Sequence, residues 1–209
     1  MRVGSWAAIA AGVLVAGCQA DGGPRPVAST PGATAIAAPP PVAFECPAAG
    51  TRVTFNDGTA LTHAGADPAD PAVCRGTTRG GQQLRLLYNF YTLPTVGEAE
   101  LRRGFGALWP LAPGGSSNFM FVGQTTDGNT FQFAESWRVE RAERITVAGA
   151  PRDAIVLRRT QQGQGANNHL SHQTYWYDVA TRTWLRRDVE LVRGTTAARS
   201  YQATALGRN

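Results

Sequence analysis

From about residue 44 onward, apolar and polar residues alternate with a period of two, the spacing of half-buried strands. Arg52-Val-Thr-Phe55 runs into Asn56-Asp57-Gly58, a strong hairpin-turn signal, and Thr59 to His63 follows as the second arm. Leu84, Leu86, Tyr88 and Phe90 alternate with Arg85, Leu87, Asn89 and Tyr91, which predicts a single strand with one buried face. A second hairpin is expected from Asn118 to Trp137 around Thr126-Asp127-Gly128-Asn129, with Phe119 and Phe121 on one arm and Phe131 and Phe133 on the other. A third runs from Glu143 to Val147 through Ala148-Gly149-Ala150-Pro151 into Asp153 to Thr160. The last strands expected are Gln173 to Tyr177 and Thr183 to Val192.

Only Val96 to Trp109 reads as a helix. Glu98 and Glu100 suit its N-terminal end, Arg102 and Arg103 lie further along, Gly104 and Gly106 weaken it, and Pro110 stops it. Regular strands with Gly-rich turns and one helix predict a mainly β fold: an antiparallel sheet curled into a sandwich or partial barrel, with one short helix. Gly163 to Ser171 reads as a polar loop between strands.

Ahead of this pattern, residues 18–43 read as a tether. Pro24, Pro26, Pro31, Pro39, Pro40 and Pro41 lie here among Ala, Gly, Ser and Thr, a composition that buries too little apolar surface to order itself. In a polyproline-like conformation it would reach on the order of 75 Å, at about 3.1 Å per residue. Residues 44–209 then form a single β-rich domain, long enough for one real core.

The first residues supply an address. Arg2, the short apolar run Trp6 to Ala16, and Leu14-Val15-Ala16-Gly17-Cys18 resemble the lipobox of bacterial lipoproteins. The apolar run is too short to span a bilayer, which takes about 20 residues. The resemblance implies that residues 1–17 are a signal peptide and that Cys18 is lipidated, anchoring the protein to a membrane. Gln19 stands where an aspartate would imply inner-membrane retention, so the bacterial envelope is expected, at the outer membrane facing the periplasm. That location makes nucleic acid an unsuitable partner.

In an oxidising periplasm the two other cysteines, Cys46 and Cys74, are expected to pair as a disulfide. All 20 basic residues are arginine, and the net charge is +5. The excess lies late: residues 138–209 hold twelve arginines against six acidic residues. Such a basic face suits an anionic envelope component or an envelope protein.

Chemistry is harder to find. There is no Gly-x-Ser-x-Gly, and His169 and His172 lack a metal-binding context, so they read as a surface-loop pair. Asp67 and Asp70 read as turn formers. No catalytic residue, metal or cofactor is expected. Tyr175, Trp176 and Tyr177 run consecutively before Trp184, Arg186 and Arg187, and one face of that strand is expected to be core while the other exposes aromatic surface. Trp176, Trp184, Arg186 and Arg187 are therefore the candidate binding residues.

Ile145 to Leu157 with Thr174-Tyr-Trp-Tyr-Asp178 and Leu185-Arg-Arg187 is similar to a pattern in uncharacterised β-rich bacterial envelope proteins. It departs from that pattern at Ala150-Pro151-Arg152 and at Val179, and it implies an antiparallel β fold. Phe44-Glu-Cys46 through Arg52-Val-Thr-Phe55 resembles small lipoprotein inhibitors of lysozyme, though this domain is larger. The function expected is non-catalytic binding or scaffolding of an envelope component. The alternatives are a lipid carrier or lipoprotein-chaperone-like cup, and an inhibitor of a secreted hydrolase.

Overall fold

The computed structural model describes residues 33–124, 128–196 and 198–208. Cys18 and the lipoprotein signal lie outside the described residues, as do Thr126 and Asp127 of the second expected turn. The described residues form one short helix, α1 (Glu98–Gly106), and twelve strands: β1 (Thr34–Ala35), β2 (Thr51–Phe55), β3 (Ala60–Asp67), β4 (Asp70–Thr78), β5 (Gln83–Leu87), β6 (Tyr91–Leu93), β7 (Ser116–Gln124), β8 (Thr130–Val147), β9 (Ala150–Gly163), β10 (Leu170–Asp178), β11 (Trp184–Arg193) and β12 (Tyr201–Arg208).

The fold is mainly β and antiparallel, as the alternation predicts. The strands join in the order β1-β8-β9-β10-β11-β12-β2-β3-β4-β5-β6, with β7 also on β8. In place of the separate sheets of a sandwich, this is one 12-stranded sheet that does not close. The reason is β12. It pairs with β11 through Arg186↔Gln202 and Arg187↔Tyr201, and with β2 from Ala203↔Phe55 to Arg208↔Thr51, so it splices two meanders into one sheet.

The expected single strand over 84–91 is instead a hairpin. Tyr88 and Asn89 take left-handed φ values of 50° and 54°, and the chain reverses so that Leu87 pairs with Tyr91. The third hairpin turns at Ala148 and Gly149, both at positive φ, which matches the twist of the flanking strands. Strand β8 belongs to both later hairpins. A bulge between Val139 and Arg141 exchanges its faces, so Trp137 and Val139 enter one core and Ile145 and Val147 the other.

Those two cores cover opposite faces of β9–β11. The larger holds Val73, Leu87 and Tyr91 from one half of the sheet and Trp137, Leu157 and Tyr175 from the other. Phe90, partly buried, packs against it, edge-on to Trp137, Tyr175 and Trp184 at 5.2–5.3 Å. Helix α1 closes this core with Leu101 and Phe105, both fully buried. Its Gly104 touches Phe119 of β7 where no Cβ would fit, and Ser117 Oγ donates to the Gly104 carbonyl at 2.6 Å. The disulfide Cys46–Cys74 ties the segment before β2 to the buried middle of β4.

The segment expected to be tether is docked in part. Ala35 pairs with Glu143, and Val42, 5% exposed, exchanges backbone hydrogen bonds with Leu111 at 2.8 and 2.9 Å. Residues 33–43 thus belong with the domain, because β8 offers an unpaired edge and Val42 an apolar anchor.

Candidate functional site

Alternation along β8 places Glu135 on the same face as Phe133 and Trp137, and alternation along β9 places Arg159 beside Leu157. Both charges are buried, at 2% and 7% exposed, and they pair through two contacts to the Arg159 guanidinium. Gln161 Nε2 and Trp137 Nε1 also donate to Glu135, at 3.0 and 3.2 Å. Desolvation of the carboxylate is therefore offset by four donors.

A directed chain of hydrogen bonds continues across β10. Arg159 reaches Gln173 and Tyr175, and Tyr175 Oη donates to Gln173 Oε1 at 2.6 Å. Gln173 Nε2 donates to Ser171 Oγ at 3.2 Å. The next partner is His169, whose Nδ1 lies 2.7 Å from the Thr195 carbonyl and must donate to it. In the neutral ring that leaves Nε2 to accept from Ser171 Oγ at 2.9 Å. The expected surface pair of histidines is thereby corrected: His169 is 4% exposed, and His172 lies half-buried, bonded to Thr160 Oγ1 at 3.1 Å.

Beside Arg159 and Tyr175 a cavity of about 490 Å³ opens between the two halves of the sheet. Its walls are mostly apolar and aromatic, including Leu61, Leu84, Phe90, Phe121 and Tyr201. Four of the residues lining it carry buried polar atoms with no protein partner: His63 Nδ1, Asn89 Oδ1, Tyr91 Oη and Trp184 Nε1. All four residues are at most 8% exposed. Buried polar groups are almost always satisfied, so four unpartnered atoms on residues of one cavity wall stand out. Burial lowers the His63 pKa to about 4, so its ring is neutral at physiological pH. Asp57 and Arg187 bring one charge of each sign to the rim. Hydrogen bonds from Thr59, with help from Arg187, hold the Asp57 carboxyl below its ordinary range.

The four residues expected to form a basic aromatic patch are split between two faces. Trp176, 1% exposed, lies in the smaller core and donates to Glu143 at 2.8 Å, while Trp184 lies in the larger core. Arg186 stacks on Trp176 at 4.6 Å and is held by both oxygens of Asp188 at 2.6–2.8 Å. Arg187 stacks on Tyr201 at 4.8 Å and donates to the Arg199 carbonyl. The expected exposed aromatic face is absent because both faces of β10 are covered. Of the four, Trp184 and Arg187 line the cavity.

Glu135, Arg159, His63 and Asn89 escaped the sequence reading. A signal existed for the first two: each is a charge at an apolar-parity position of a strand. His63 and Asn89 carry no such mark.

No protein-family profile matches the chain, and no curated protein matches it. Among solved structures the chain is similar to the hypothetical lipoprotein YmcC from Escherichia coli (K12), at 11% identity over 74% of this chain and 83% of that one, with a TM-score of 0.47.

Proposed function

We propose that this is an envelope lipoprotein, anchored through Cys18 at the periplasmic side of the outer membrane, whose domain binds an envelope component in the cavity beside Arg159 without catalysing its conversion. The observation that carries the reading is the set of four orphaned polar atoms, on His63, Asn89, Tyr91 and Trp184, on residues that line an aromatic-walled space. A few placed polar groups on apolar walls are the common make-up of a ligand pocket.

The walls favour a ligand with an apolar or ring-shaped body, and the orphans favour one bearing hydroxyl or amide groups. Opposite charges on Asp57 and Arg187 favour a molecule of little net charge. A cup for an acyl chain is the second reading, supported by Leu61, Leu84 and Leu86. A bare chain would leave the orphans dry, at about 1–3 kcal/mol each, so the hydrogen-bonding ligand ranks first.

Native mass spectrometry of the mature chain carrying Cys18→Ser, exported to the periplasm and purified without detergent, tests this. A bound mass is expected, lost in Leu84→Trp, which fills the cavity from a half-buried position. A bare mass for the parent chain, or an adduct that survives Leu84→Trp in a folded protein, would overturn it.

A further inference from the structure

A second pocket, of about 460 Å³, lies where the turn between β10 and β11 meets the end of β12. Three arginines line it, Arg152, Arg182 and Arg208, against one carboxylate, Glu45. Glu45 is mostly exposed and sits 3.5 Å from Arg182 Nη2, too far for a strong bond. Two guanidinium donors, Arg152 Nε and Arg182 Nη1, are buried without a partner. Asp178 lies nearby: its Oδ2 is taken by the backbone and hydroxyl of Thr181, and its Oδ1 is buried without a partner. Arg182 is held in place at a left-handed φ of 61°, with Asn89 Nδ2 donating to its carbonyl at 3.1 Å.

Three arginines around one concave site, two of them with an unpartnered guanidinium nitrogen, match an oxyanion with several acceptor oxygens, and arginine forks fit phosphate in particular. We infer that this pocket binds a phosphate group. Its place in the fold fits a headgroup at the membrane surface as well as a free ion. Strand β1, by which the chain enters the domain, pairs at Thr34↔Arg144, and Arg144 is next to Ile145, the residue paired with Arg152. On the reading that Cys18 is lipidated, the chain from the anchor joins the domain beside this end.

The test uses the mature Cys18→Ser chain. Inorganic phosphate is titrated calorimetrically at constant ionic strength, and flotation is measured with vesicles containing phosphatidylglycerol against phosphatidylcholine alone. Binding in either assay, weakened at least tenfold in Arg152→Gln/Arg182→Gln, supports the site. Calorimetric binding identifies a free phosphate as sufficient, and flotation alone identifies the headgroup. Arg208→Gln, on an exposed rim residue, is expected to weaken binding without touching the fold. Absence of binding in both assays, or binding that all these variants retain, overturns the inference. Neither assay depends on the lipid anchor, so failure here is distinct from failure of the anchoring proposal.

Discussion

Glu135 on β8 and Arg159 on β9 form a buried ion pair on strand faces otherwise occupied by Trp137 and Leu157. Removing one partner strands the other in a low-dielectric site. Arg159→Met is expected to cost about 3–5 kcal/mol in urea unfolding. The double variant Glu135→Leu/Arg159→Met should recover part of that loss, because no charge is left buried. A single-variant loss below about 1 kcal/mol would place the pair among weakly contributing contacts.

His63 gives the fold a pH dependence of known sign. Its folded pKa of about 4 lies below the ordinary 6.5, so the unfolded chain binds a proton that the folded chain refuses. Stability is complete above pH 6.5 and falls as the pH drops toward 4, by about 1.4 kcal/mol per unit at most. Urea midpoints at pH 7 and pH 5, for the parent and for His63→Gln, separate this effect from carboxylate titration. An identical pH slope in the two proteins would show that His63 takes no part.

Gly104 resists replacement despite sitting in a helix. Alanine there would favour the helix by about 1 kcal/mol on propensity alone. Yet a Cβ at this position would stand 2.2–2.4 Å from Phe119 atoms. Gly104→Ala is therefore expected to lower stability by about 1–3 kcal/mol through overpacking. A raised melting temperature would show that β7 gives way.

The Cys46–Cys74 disulfide closes a loop with a sequence separation of 28. The chain-entropy estimate for such a loop is about 3–4 kcal/mol. Cys46→Ala/Cys74→Ala should lose at least that much, since Cys74 is also fully buried. Guanidinium unfolding of the two proteins would measure it, and equal midpoints would remove the disulfide from the list of stabilising features.

Much of the strand pattern was legible because two-residue alternation is a local signal. Gly58 and Gly149 mark their turns for the same reason, as left-handed backbone selects a few residue types. Other features left no such trace. Tyr88-Asn89 turns the chain although neither residue is glycine, and β12 carries small side chains that blur its period.

By itself, then, the sequence determined a mainly antiparallel β domain with one short helix, and the spacing of most of its turns, since strand period and turn chemistry act over a few residues. Tertiary structure alone decided which faces were buried. Tyr175 and Trp176 alternate as any half-exposed strand would, yet both faces of β10 are covered, because elements distant in sequence pack on each side. The same long-range packing brings His63, Asn89 and Trp184 around one cavity and gathers Arg152, Arg182 and Arg208 at one end. Neither grouping corresponds to any spacing along the chain.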